Sequence, residues 1–126
     1  MTSPLAILCY EKLLPGSQMV TRLEDLSYRV EVLNDSSELL AVAERSRPLV
    51  VLVDMASQEN DVARDISALK NGADTGHIPV LAFTSQEDEE GQRGARSVGA
   101  DLVAGEAAIL DQLPSLLDHV LELKES

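Results

Sequence analysis

Pro48-Leu49-Val50-Val51-Leu52-Val53-Asp54-Met55 carries five consecutive apolar residues straight into one carboxylate. A run so unbroken and so rich in valine reads as a strand buried on both faces. Such strands occur almost only in the middle of a parallel sheet covered by helices. Asp54 then ends the strand at its carboxyl end. In open α/β sheets that edge is where ligands bind, so the decisive question is which side chains the other strand ends bring beside Asp54.

Outward from this strand the same pattern repeats. Leu5 to Tyr10 is a second continuous apolar run, ending at Glu11, and Ile78 to Phe83 is a third, closing on Thr84-Ser85 with Pro79 at its start, where a missing ladder donor matters least. Tyr28 to Leu33 alternates, with Tyr28, Val30 and Val32 against Arg29 and Glu31, as an edge strand with one polar face does. Leu102-Val103-Ala104 is a short last strand.

Helical patterns fill the intervals. Pro15 and Gly16 act as punctuation before Ser17, an N-cap for a helix with Met19, Val20, Leu23 and Leu26 inward. Asn34-Asp35-Ser36-Ser37 supplies turn and cap residues for a second helix marked by Leu39, Leu40 and Ala43, which stops before Pro48. Asp61 caps a third, with Val62, Ile66 and Leu69 inward, and Asn71-Gly72 ends it in the left-handed conformation that both residues tolerate. Ser85-Gln86-Glu87-Asp88 has the shape of a capping box opening a fourth helix whose inward positions, Gly91, Ala95 and Val98, are thin. Two internal glycines cost that helix about 1 kcal/mol each relative to alanine, so it is expected to be the least rigid element, with Gly99 as its C-cap. A fifth helix carries Leu113, Leu116, Leu117 and Val120, with Pro114 in its first turn, and the additional Ile109, Leu110 and Leu121 suggest a homodimer or partner contact.

Five strands alternating with five helices define a three-layer, doubly wound (βα)5 α/β fold of the flavodoxin-like type. The alternating second strand and the short fifth belong at the edges, which gives a parallel five-stranded sheet in the order 2-1-3-4-5. With no repeat, low-complexity stretch or linker, residues 1–126 are read as a single domain.

Composition narrows the function. Ten Lys and Arg against 22 Asp and Glu leave a net charge of -12, which repels phosphate backbones and anionic lipid, so neither nucleic acid nor membrane is expected as a partner. Aromatic residues make up only 2%, which leaves little for stacking on bases or flavins. The single Cys9 rules out an internal disulfide and packs as core, and no apolar run approaches the roughly 18 residues of a membrane span, so a cytoplasmic location is expected. Gly91, Gly94 and Gly99 do not make a dinucleotide fingerprint, because they follow the fourth strand rather than the first. His77 and His119 do not read as a metal pair. Glu87-Asp88-Glu89-Glu90 is a favourable negative cluster at a helix N-terminus, with docking of a basic partner as a second use.

An Asp ending the third strand, a Thr with a small neighbour ending the fourth, and the Gly99-Ala100-Asp101 turn together make the chain resemble, over nearly its whole length, the receiver domain of bacterial response regulators. The resemblance implies a non-enzymatic signalling module of a two-component phosphorelay. Asp54 would accept a phosphoryl group from a histidine kinase, and Thr84, with Ser85 as the small neighbour, would be the switch hydroxyl. Glu11 with Asp54 would be candidate ligands for a weakly held Mg2+, a hard ion suited to oxygen donors. The face of fourth helix, fifth strand and fifth helix would dock a protein partner or output domain. The match is uneven. Cys9-Tyr10-Glu11 stands where the family has an acidic pair, Glu106-Ala107 where it has a lysine followed by proline, and the loop after Asp54 lacks the Met-Pro-Gly composition.

An aspartyl phosphate forms only where the charge of the phosphoryl donor is neutralised beside an already negative nucleophile. With one metal carboxylate missing and Glu106 in place of the cation, that neutralisation is lost twice. The preferred reading is a degenerate pseudo-receiver acting by protein contacts. The alternatives are an authentic response regulator phosphorylated on Asp54 and a flavodoxin-like small-molecule binder. At Asp54 the plainer possibility is a strand-end carboxylate that accepts hydrogen bonds from loop amides, and at Thr84 and Ser85 a strand end and an N-cap.

Overall fold

In a computed structural model that describes residues 3–10, 13–56 and 61–125, the apolar runs become β1 (Leu5–Cys9), β3 (Val50–Asp54) and β4 (Val80–Thr84). The alternating and short segments become β2 (Arg29–Leu33) and β5 (Leu102–Gly105). All pairings are parallel and the order is β2-β1-β3-β4-β5, as expected. Every residue of β3 and β4 is buried, and both edges of the sheet are partly open. This is the arrangement that continuous and alternating strands respectively demand.

Helices cover both faces. α2 (Leu39–Ser46), α3 (Val62–Asn71) and α4 (Glu89–Ser97) lie on one side, where Leu39, Val42, Ile66, Leu69 and Ala95 meet Ile7, Val51, Val53, Val80 and Ala82. α1 (Leu13–Asp25), α5 (Glu106–Asp111) and α6 (Leu113–Glu125) lie on the other, where Met19, Leu23, Ile109, Leu113, Leu117 and Val120 meet Leu8, Val50, Leu52, Leu81 and Phe83. Successive residues of β3 and β4 therefore enter opposite core layers, as the period of two requires. Each fully buried aliphatic side chain contributes about 1.5–3 kcal/mol of transfer free energy. Among the described residues no helix is long and apolar enough to cross a membrane.

Several boundaries differ from the sequence reading, each for a local reason. α1 opens at Leu13, so Ser17 lies inside the helix and Pro15 falls in its first turn, where the missing N–H has no helical partner to lose. Gly16 is required there for another reason: a Cβ would overlap the ring of Tyr10, the residue that follows β1. Leu26 lies past the helix and is exposed. There the chain turns through Ser27 at φ 71°, with the Ser27 N–H donating to Glu24 O and the Tyr28 N–H to Leu23 O, a Schellman closure on a residue other than glycine. The last helix is two helices, because Pro114 cannot donate to the carbonyl four residues back and its ring clashes there, which separates α5 from α6 at Gln112. Ile109 is core, and Leu110 and Leu121, half-buried, pack against the cluster that contains it.

α3 does end at Asn71 as read, but Gly72 is extended (φ -71°, ψ 141°) rather than left-handed. Glycine is needed because a Cβ would overlap the Thr75 hydroxyl, which is buried and donates to Leu69 O at 2.7 Å, a second bond to a helix-end carbonyl that also accepts the Gly72 N–H. Beside it, Lys70 Nζ bonds Asp101 Oδ2 at 2.9 Å and Ile78 O at 3.0 Å, while the same carboxylate oxygen accepts the Val80 N–H at 2.8 Å. These bonds tie the end of α3 to the starts of β4 and β5.

The two glycines of α4 are not equivalent. A Cβ on Gly94 would meet nothing within 4 Å, whereas one on Gly91 would collide with the carboxylate of Asp88. Gly94→Ala is expected to stabilise the protein by about 1 kcal/mol. Gly91→Ala should yield no gain, because displacing the capping carboxylate forfeits about the same amount. Urea midpoints at unchanged m-value test both.

Candidate functional site

The site is built from the carboxyl ends of the strands. The register sets Cys9 beside Val53, Asp54 beside Phe83, Phe83 beside Ala104 and Thr84 beside Gly105. The residues that close or follow the strands, Tyr10, Asp54, Thr84 and Glu106, therefore share one edge of the sheet. Asp54 is 5% exposed and its Oδ1 accepts the Ala56 N–H at 2.9 Å, an Asx-type turn that fixes the start of the following loop. Glu11 and residues 57–60, where the second Mg2+ carboxylate and the loop after Asp54 are expected, lie outside the described residues. Glu106 is half-buried and opens α5 directly after Gly105.

Thr84 is fully buried. Alternation along the pleat sends its side chain to the α2-α3-α4 layer and that of Asp54 to the α1-α5-α6 layer. The Thr84 hydroxyl accordingly donates to Asp88 Oδ2 at 2.7 Å. Asp88, not Ser85, is the N-cap of α4, its Oδ1 accepting the Gly91 N–H at 2.9 Å. Ser85 turns instead onto Glu87, donating from its hydroxyl to Oε2 and accepting the Glu87 N–H. Both switch candidates thus carry partners at the mouth of α4. Asp88 was hidden in the sequence because Ser85 is an equally good cap type three residues upstream. The distinguishing signal is the pair of spacings, four from Thr84 and three to Gly91.

These contacts set the charges. The Thr84 hydroxyl and then the Gly91 N–H hold the Asp88 carboxyl below its ordinary value, the Ser85 hydroxyl does the same for Glu87, and the Ser37 hydroxyl and N–H for Asp35. Carboxyls depressed in the folded state contribute stability that is present above the unfolded value and lost as pH falls through the folded one. Acidification below about pH 4 is therefore expected to loosen the first turn of α4. Helical circular dichroism followed down to pH 2, with Asp88→Asn as the non-titrating control, checks this.

Among the described residues no group of three His, Cys, Asp or Glu side chains stands ready for a metal. His77 and His119 are exposed on separate elements and Cys9 is buried in the core. A shallow depression of about 240 Å³ lined by Arg47, Asp74 and His77 lies at the amino end of the sheet, away from Asp54.

No family model and no curated protein matches the chain. Solved structures do. A chemotaxis response regulator of Vibrio cholerae superposes with a TM-score of 0.82 at 21% identity, covering 94% of this chain and 99% of that one. The signal receiver domain of a modulated diguanylate cyclase of Desulfovibrio desulfuricans does so with 0.82 at 22%, covering 98% of each. The receiver domain of a sensor histidine kinase of Pseudomonas aeruginosa, which holds a magnesium ion in its active site cleft, gives 0.86 at 16%, covering 96% of this chain and 99% of that one. At these identities the likeness is one of fold: the chain has the fold of response-regulator receiver domains.

Proposed function

We propose that residues 1–126 are a single receiver-like domain of the two-component type, non-enzymatic and cytoplasmic, degenerate at the phosphorylation site and acting through protein contacts of the face made by α4, β5 and the α5-α6 pair. The observation that carries this reading is the register of Thr84 with Gly105, which puts Glu106 next in line on the edge that Asp54 occupies. A carboxylate there adds repulsion on the order of 1 kcal/mol or more at about 4 Å in a partly solvated site, where a phosphoryl group needs a cation. Tyr10, following β1, supplies no charge to a metal.

A Mg2+ ion like that of the Pseudomonas receiver domain would find hard oxygen donors in Asp54 and Glu11, of which only Asp54 is described. With so few carboxylates it would keep most of its water and bind weakly. The second reading, a working phosphoacceptor served by a histidine kinase, is favoured by the placement of Asp54 at the carboxyl end of a central strand. Intact mass after incubation with a small phosphodonor and Mg2+ separates the two. The degenerate reading expects no phosphoryl adduct and no stabilisation by beryllofluoride. Stoichiometric labelling that disappears in Asp54→Asn would establish the second reading.

A further inference from the structure

We propose that Thr84 and Asp88 form a latch that decides whether the first turn of α4 is closed. α4 spans nine residues and buries only Ala95 among them. Helices shorter than about 12 residues are marginal by themselves and rely on tertiary ties. Among the described residues, the side-chain hydrogen bond that ties the first turn to the sheet comes from the Thr84 hydroxyl. Thr84, with no exposed surface, donates to Asp88 Oδ2, and the other oxygen of that carboxylate holds the Gly91 N–H. Gly91 is part of the device, because any side chain would press on the carboxylate. The second anchor, Gln92 Nε2 on Ser85 O and Gln86 O at 3.2 Å each, joins α4 to its own leading loop rather than to a strand.

A hydroxyl–carboxylate bond from a buried donor stabilises more than a neutral one, and losing it leaves that donor unsatisfied. Anything that draws the Thr84 hydroxyl away therefore opens the turn at a free energy below that of global unfolding. The latch exists whatever the domain binds, and only its use in signalling rests on the proposed docking role of α4.

Amide exchange at Gln92, Arg93 and Gly94, read against the amides of β1 and β3, tests the latch. Thr84→Val should speed exchange at the three α4 amides by about tenfold and leave the strands as they are. Asp88→Ala, which also loses the cap on Gly91, should speed it at least as much, and the double variant should be no faster than Asp88→Ala alone. Should Thr84→Val fail to fold, Asp88→Ser keeps one oxygen to cap the Gly91 N–H and leaves no second oxygen where the Thr84 hydroxyl donates. It should exchange fast, and Thr84→Ser should stay at the wild-type rate. Wild-type rates in both Thr84→Val and Asp88→Ser, multiplying effects in the double variant, or equal loosening of β3 would overturn the proposal. No partner is present in the measurement, so failure of the docking reading alone would leave these rates unchanged.

Discussion

Asp101→Ala should lower the unfolding free energy by about 3 kcal/mol, the low end of what breaking a buried ion pair costs. The carboxylate holds two groups with one oxygen, the Lys70 ammonium and the Val80 N–H, and Val80 is itself fully buried. Its removal takes the carboxylate from a Lys70 ammonium that is 12% exposed and from a backbone donor at the entry of a central strand. Against a typical total of roughly 5–15 kcal/mol this is a large share. Lys70→Met should cost less, because the Asp101 carboxylate keeps the Val80 N–H. Lys70→Met with Asp101→Asn should cost less than Asp101→Ala alone, since asparagine still offers Val80 an oxygen and the cation is removed together with its carboxylate. Urea denaturation measures all four proteins. Losses within about 0.5 kcal/mol for both single changes would mean that the pair behaves like an exposed one.

That pair was out of reach of the sequence for a reason shared by most of the misplaced features. Lys70 and Asp101 are 31 positions apart, and nothing in either neighbourhood announces the other. Strand identity is different. Continuity of apolar residues in β3 and alternation in β2 are properties of the segments themselves, and burial rewards them directly, so the order of the sheet was readable. Glycine and proline in a sequence suggest local punctuation, but Gly16 answers to the Tyr10 ring at the end of a neighbouring strand and Gly72 to the Thr75 hydroxyl. Pro114 lies in a first turn, as its missing N–H favours, yet the same ring that suits the start of α6 also ends α5. At the site, Asp54, Thr84 and Glu106 could be listed as strand ends before any register was known. The partner of Thr84 could not, because choosing Asp88 over Ser85 as the cap depends on which side of the sheet α4 covers.

The charge at the end of β5 offers the sharpest handle on function. Glu106→Lys is expected to raise the rate of phosphoryl labelling of Asp54 by small phosphodonors by more than an order of magnitude. Exchanging a carboxylate for an ammonium removes a repulsion and adds an attraction, each on the order of 1 kcal/mol at about 4 Å, and tenfold in rate corresponds to about 1.4 kcal/mol. The gain should be larger with Mg2+ than without it, and larger again in Tyr10→Asp combined with Glu106→Lys, where the edge regains a metal carboxylate as well as a cation. A cation at the first position of α5 opposes the helix dipole by a few tenths of a kcal/mol, a small loss beside the catalytic effect. Asp54→Asn in the same background must abolish the adduct, which assigns the label to that carboxylate rather than to another of the 22 acidic residues. If Glu106→Lys and the double variant both label no faster than wild type, then charge at this edge does not limit phosphorylation of Asp54, and the proposed role of Glu106 falls.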